Sequence, residues 1–80
     1  MIIKPITTEK AIKLIEIDNT ILFEVSPQDT KENIKKYFEK MFSVKVEKIN
    51  IMRRGSRKIA YINLNKRNLA IDIATKLGMI

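Results

Sequence analysis

The sequence predicts an α+β sandwich in which four strands form one largely antiparallel sheet and three helices cover both faces of that sheet. Three observations lead to this fold class. Some segments alternate apolar and polar residues as strands do, others repeat apolar residues at helical spacing behind a capping residue, and a Gly-Ser turn joins two strand-like segments. In chain order the elements read β-α-β-α-β-β-α, and residues 1–80 are expected to form one domain.

The N-terminal segment predicts a short strand followed by a helix. Two isoleucines precede Pro5, and the residue before a proline prefers an extended backbone. Thr7 and Thr8 can cap the free N–H groups at a helix start, and the Glu9 carboxylate complements the positive end of the helix dipole. We expect this first helix to end at Asp18.

The next two elements are a strand and the clearest helix of the chain. Residues 20–25 alternate in a strand pattern that is moderately apolar on both sides, and Ser26-Pro27-Gln28 predicts a turn. Asp29, followed three residues later by Glu32, fits a capping box at a helix start. The apolar stripe expected on this helix is Ile34, Tyr37, Phe38, Met41 and Phe42.

The C-terminal half predicts a hairpin and a last helix. Val44–Met52 and Ile59–Leu64 are the two strands, and the parity of the apolar residues changes between residues 46 and 49. That change predicts a bulge or a bend. Leu69–Leu77 predicts the final helix, which Gly78 ends in a left-handed conformation.

Positive charge is concentrated in the second half of the chain. Residues 41–80 carry the whole net charge of +7, while residues 1–40 are neutral. The hairpin turn, Arg53–Lys58, places four cations within six residues, and three of them are arginines. Arginine forms forked hydrogen bonds to phosphate, so this turn predicts a polyanionic partner, above all nucleic acid. The plain alternative is a solvated turn, because charged turns are common and cations discourage strand aggregation.

Other residues could extend this contact. Thr30-Lys31 lies at a helix start, where backbone N–H groups, a hydroxyl and an ammonium can hold one phosphate, although an ordinary capped helix is an equal alternative. Tyr61 could stack on a base or lie at the rim of the core. The predicted RNA-binding residues are Lys10, Thr30, Lys31, Lys35, Arg53, Arg54, Arg57, Lys58, Lys66 and Arg67.

Composition argues against several functional classes. The chain has no cysteine and no histidine, which removes disulfides, thiolate metal sites and the commonest general base. Its two glycines, Gly55 and Gly78, are too few for a phosphate-cradling loop. We therefore predict a non-enzyme without cofactor or metal. No apolar run approaches the roughly 20 residues of a membrane span, and the first residues lack a secretory signal, so the cytoplasm is the expected location.

Three blocks of the chain together resemble one ribosomal protein family. Pro5–Ala11 is similar to its opening "P-x-x-T/S-E-K-A" block, Thr30–Asn50 to its central "T-K-x-x-I-K" and "E-x-x-F-x-V-x-V-x-x-V-N" blocks, and Lys58–Leu64 to its "K-K-A-Y-V-x-L" strand. These blocks resemble the universal large-subunit ribosomal protein twenty-three family, found beside the peptide exit tunnel. Ile59 replaces the usual second lysine, and the short turn and short N-terminal segment are similar to archaeal members.

The resemblance implies partners that composition alone does not. It implies binding to large-subunit rRNA, contact with neighbouring ribosomal proteins and a docking surface for nascent-chain factors at the tunnel exit. In bacterial relatives the glutamate of the opening block contacts the trigger factor chaperone, and that position is Glu9 here. For an archaeal-like chain the implied visitors are the signal recognition particle and the protein translocon, with no membrane insertion and no small-molecule substrate.

The sequence thus predicts a non-catalytic rRNA-binding protein of the large ribosomal subunit. Two alternatives stay open. The cations could meet an acidic partner in a protein-interaction module, which displacement by an unrelated polyanion would help to distinguish. The chain could also be a free-standing RNA- or DNA-binding domain, although the last helix offers few polar side chains for reading a groove.

Overall fold

The computed structural model describes residues 2–79 of the chain, with side chains from Lys4 to Met79. The predicted domain, residues 1–80, also includes Met1 and Ile80, which lie outside the described residues. The strands are β1 (Ile2–Pro5), β2 (Thr20–Val25), β3 (Val46–Arg54) and β4 (Arg57–Leu64). The helices are α1 (Glu9–Ile17), α2 (Lys31–Phe42) and α3 (Ala70–Lys76). This order confirms the predicted β-α-β-α-β-β-α arrangement.

The four strands form one antiparallel sheet in the order β1-β2-β4-β3. Val25 lies opposite Lys58, and Thr20 lies opposite Asn63, so β2 and β4 run side by side over their whole common length. We call the end of the strands that carries the β3–β4 turn the hairpin end. The opposite end of the strands, where β4 runs into residues 65–69, is the loop end. Since β2 finishes at the hairpin end, α2 begins there as well.

A bulge in β3 decides which of its side chains face the core. Val46 pairs with Leu64 and Lys48 pairs with Asn63, so Glu47 is an extra residue between two successive pairs. The extra residue puts Val46 and Ile49 on the same face, where both are buried. The bulge predicted from the parity change is therefore confirmed.

Apolar side chains are buried on both faces of the sheet. On one face, Phe23 and the wholly buried Phe38 of α2 pack edge to face with ring centroids 5.5 Å apart, and α3 joins the same larger cluster. On the other face, Leu22 and Ile59 pack with Ala11 of α1 in a smaller cluster. Helical side chains thus cover both faces, as the sequence predicts.

The start and stripe of α2 differ from the prediction. Thr30 is the N-cap, and its Oγ1 accepts a hydrogen bond from the Asn33 N–H at 3.2 Å, so the expected Asp29–Glu32 capping box was wrong by one residue. Tyr37 and Met41 are 37% and 51% exposed because the buried stripe is narrower than the apolar pattern.

Asn19 holds the loop end together. Its backbone is left-handed, with φ of +50°, between α1 and β2. Its Nδ2 donates to the carbonyl oxygens of Leu64, Asn65 and Asn68 at 3.3, 3.4 and 2.9 Å. Its Oδ1 accepts from the Ala70 N–H at 2.7 Å, which caps α3 in place of a local side chain. One side chain therefore fixes residues 64–70 against the end of α1.

Candidate nucleic-acid interface

The hairpin end carries the arginines on two paired strands. Arg54 lies opposite Arg57 beside the two-residue turn, and Arg53 lies opposite Lys58 one pair further in. Gly55 adopts φ of +60°, the left-handed conformation that such a tight turn requires. Both strands reach closer to the turn than the sequence predicted, so the arginines are held by the sheet itself. The three arginine side chains are all exposed.

Arg57 is already oriented by a neighbouring carboxylate. Its Nε and Nη2 donate to Oε1 of Glu24 at 3.1 and 2.8 Å. The Arg57 side chain is 53% exposed, so this ion pair adds little stability. A guanidinium has five N–H donors, and two are used here, so others remain for a phosphate.

Lys58 is buried, unlike the three arginines. Its side chain is on the face of the larger core, with 8% of the residue exposed. Its Nζ donates to the carbonyl oxygens of Pro27 and Asp29. The prediction that Lys58 contacts RNA finds no support in this geometry, because the ammonium is directed into the protein. Lys58 instead ties the segment before α2 to the hairpin.

That tie brings the start of α2 to the hairpin end. Thr30 and Lys31 follow directly after Asp29, and both are exposed. The Thr30 hydroxyl accepts from the Asn33 N–H and still has its own hydrogen to donate. Lys35, one helical turn further on, is also exposed. The structure therefore gathers part of the predicted site at one end: Thr30, Lys31, Arg53, Arg54 and Arg57.

The remaining predicted cations lie elsewhere. Lys66 and Arg67 are exposed at the loop end, separated from the arginine turn by the length of β4, roughly 23 Å for eight residues. Lys10 is exposed in the first turn of α1, beside Glu9. The predicted residues thus do not form one continuous patch.

An apolar groove at the loop end was not predicted. It has a volume of about 830 Å³ and lies between the end of α1 and the segment that leads into α3. Ile17 and Leu69 line it and are 78% and 52% exposed. The only sequence signal is that both are large apolar residues at the ends of predicted helices, where packing is hard to foresee.

Neither a membrane span nor a metal centre is found in the described part of the chain. No helix among residues 2–79 is both long enough and apolar enough to cross a bilayer. The same residues contain no group of three or more acidic, histidine or cysteine side chains that could hold a metal ion.

The fold and the arginine-rich hairpin end define a small, basic α+β scaffold. A family model described as "Ribosomal protein L23" matches residues 1–68. The chain is also 46% identical, over 81 residues, to the "Large ribosomal subunit protein uL23" of Methanothermobacter thermautotrophicus, covering 99% of this chain and 93% of that relative. The chain belongs to the ribosomal protein L23 family, a family of structural components of the ribosome rather than enzymes. The resemblance stated from the sequence and the prediction of a non-enzyme are confirmed.

Proposed function

We propose that this protein is a structural constituent of the large ribosomal subunit in the cytoplasmic ribosome, and that it binds large-subunit rRNA near the polypeptide exit tunnel. The name of the archaeal relative supports the assignment to the large subunit. The observation that carries the RNA-binding proposal is the hairpin end, where Arg53, Arg54 and Arg57 are exposed on a rigid, paired turn.

The mechanism is electrostatic and geometric. Each arginine that contacts a phosphate displaces counterions condensed on the RNA, and their release supplies most of the affinity. The paired strands fix the spacing of the arginines before binding, so little conformational entropy is lost on contact. Such contacts set the register of the protein on the RNA rather than reading its sequence.

The proposed contacts divide into a main group and additional ones. The main group is at the hairpin end: Thr30, Lys31, Arg53, Arg54 and Arg57. The additional phosphate contacts are Lys10, Lys35, Lys66 and Arg67. In this proposal Lys58 acts as an internal support that positions the start of α2, instead of touching RNA.

The test replaces Arg53, Arg54 and Arg57 with alanine and measures binding to a large-subunit rRNA fragment over a range of salt concentrations. The slope of log affinity against log salt should fall by about one for each lost contact. A matched control replaces Lys13, Lys36 and Lys40, three exposed lysines outside the proposed site, and should leave the slope close to that of the parent. Equal binding by the arginine variant and the parent at every salt concentration would rule the hairpin contact out.

A competition arm addresses the acidic-partner alternative. Unlabelled rRNA fragment should displace the labelled fragment at much lower concentration than heparin does, because the folded RNA matches the spacing of the cations. If heparin displaces it equally well per charge, the surface recognises negative charge alone, and the alternative is favoured.

The proposed protein partners are neighbouring ribosomal proteins and, at the tunnel exit, the signal recognition particle and the protein translocon. Glu9 is exposed in the first turn of α1 and is the proposed docking residue. Glu9→Lys in assembled ribosomes should weaken binding of purified signal recognition particle, whereas Glu16→Lys, at another exposed position of the same helix, should not. Equal binding by both variants would exclude Glu9 from the contact.

A further inference from the structure

Among the described residues, the β3 side of the smaller-cluster face is exposed, although α1 covers the β2 side of that face. On the face of the smaller cluster, α1 packs over Leu22 of β2. Beyond β4 on the same face, the side chains of β3 after the bulge are all exposed: Lys48, Asn50, Met52 and Arg54. Residues directly opposite each other in an antiparallel pair point to the same face, and Asn50 lies opposite Tyr61. We call these four β3 residues, together with Tyr61, the open face.

Tyr61 is a fixed aromatic ring at the border of the open face. Its ring is half-buried against the smaller cluster. Its hydroxyl donates to Sδ of Met52, 3.7 Å away on the neighbouring strand. The packing and the hydroxyl bond fix the orientation of the ring, so a base that stacks on its exposed surface would find it already ordered.

The polar groups around this ring suit a nucleotide. The exposed Asn50 amide, directly across from Tyr61, carries both a donor and an acceptor for the edge of a base. Lys48 and Arg54 place cations at the two ends of the row. Carboxylates on the neighbouring segments are already engaged, since Glu47 accepts from Asn65, Glu24 accepts from Arg57 and Asp18 accepts from Thr20. A nucleotide offers a flat face for the ring, a polar base edge for the amide and phosphates for the two cations, so it matches all of these groups at once.

We infer that the open face binds an unpaired nucleotide of RNA, with its base stacked on Tyr61, its edge against Asn50 and its flanking phosphates near Lys48 and Arg54. Unpaired bases can splay out and stack on aromatic side chains, whereas bases inside a duplex cannot. The inference rests on the proposed function and deepens it: the hairpin end binds phosphates, and the open face distinguishes single-stranded RNA from duplex RNA.

Tyrosine fluorescence tests the inference on the intact protein. The chain has two tyrosines and no tryptophan, so Tyr37→Phe leaves Tyr61 as the only reporter. Titration with a ten-nucleotide oligo(A) RNA should quench Tyr61, and titration with a ten-base-pair RNA duplex should not. Equal quenching by both, or no quenching at oligo(A) concentrations that bind, would overturn the inference.

Affinity measurements supply a second arm with matched variants. Tyr61→Leu should bind oligo(A) roughly tenfold more weakly, because one stacking contact is lost, and Tyr61→Phe should bind like the parent. The control Tyr37→Leu, at an exposed position of α2, should have no effect. The salt slope should be unchanged in all three, since no charge is removed. If Tyr61→Leu does not fold, the quenching experiment decides alone.

The two proposals fail in different ways. If Tyr61→Leu binds like the parent while the arginine variants lower the salt slope, the open face is wrong and the hairpin contact stands. If the arginine variants keep the parent slope while oligo(A) still quenches Tyr61, the hairpin contact is wrong and Arg54 is excluded as a phosphate contact of the open face, but the stacking of a base on Tyr61 stands.

Discussion

At the scale of single residues, Asn19 carries more of the architecture than its position in a short turn suggests. One amide contacts Leu64, Asn65, Asn68 and Ala70, which are 45 to 51 residues away in sequence. Those contacts fix the segment that holds Lys66 and Arg67. The sequence predicts only that α1 ends here, because no local pattern indicates which distant carbonyls an amide will meet.

We predict that Asn19→Ala lowers the free energy of unfolding by about 2–3 kcal/mol, because partly buried carbonyls lose their donor and alanine disfavours the left-handed backbone. Urea denaturation measures this. Asn19→Gly is the matched control: it removes the same amide but tolerates φ of +50°, so it should cost less than the alanine variant. A loss below about 0.5 kcal/mol for alanine would show that water replaces the amide at little cost.

At the scale of elements, the hairpin and the start of α2 form one unit through Lys58. The sequence predicts Lys58 as an RNA contact because it stands with three arginines in a six-residue basic turn. In the structure the parity of β4 turns Lys58 toward the larger core, where its Nζ donates to the carbonyl oxygens of Pro27 and Asp29. Parity along β4 was visible in the sequence, but the position of the segment after β2 was not.

Parity did predict the bulge in β3. Val46 and Ile49 must both face the core, and only an extra residue between them allows this. The apolar pattern of α2 predicted the buried residues less well, because it does not show how much of the helix surface packs against the sheet. Tyr37 and Met41 were predicted to be buried and are exposed. Local pattern therefore predicted the elements, whereas the pairing of ends that forms the candidate site depends on contacts between distant segments.

We predict that Lys58→Met destabilises the protein by about 1–3 kcal/mol, because the aliphatic stem is kept while two carbonyl oxygens lose their donor. The salt slope of rRNA binding should stay at the parent value. Arg54→Ala should do the opposite, with unchanged stability and a slope lower by about one. Denaturant melts combined with salt titrations measure both. A lower slope for Lys58→Met with unchanged stability would restore Lys58 as a phosphate contact.

At the scale of the whole molecule, cations lie at both ends of the sheet. β4 runs from Arg57 at the hairpin end to Leu64 at the loop end, a length of roughly 23 Å, and the longest extent of the protein is 30 Å. The exposed arginines of the turn are thus separated from Lys66 and Arg67 by the length of a paired strand. An RNA segment that contacts both the arginines of the hairpin end and the cations of the loop end must therefore extend along the length of β4.

We predict that both ends contribute to binding of a folded rRNA fragment. Arg53→Ala with Arg54→Ala, and Lys66→Ala with Arg67→Ala, each remove two charges, and each pair should lower the salt slope by about two. The control pair, Lys36→Ala with Lys40→Ala, removes the same charge from the outer side of α2 and should leave the slope near the parent value. A parent-like slope for the Lys66 and Arg67 pair would confine the interface to the hairpin end.

The stiffness of β4 has a kinetic consequence. Because β4 is paired on both sides, it can neither shorten nor bend easily. It therefore holds the cations of the hairpin end and those of the loop end at a fixed distance from each other. If RNA binds at both cationic groups, dissociation from one group leaves it bound at the other. The free group then rebinds the RNA at high effective concentration before the complex separates. Two contacts of modest affinity would therefore give a slow dissociation rate of the protein from the RNA, as a stable ribonucleoprotein assembly requires.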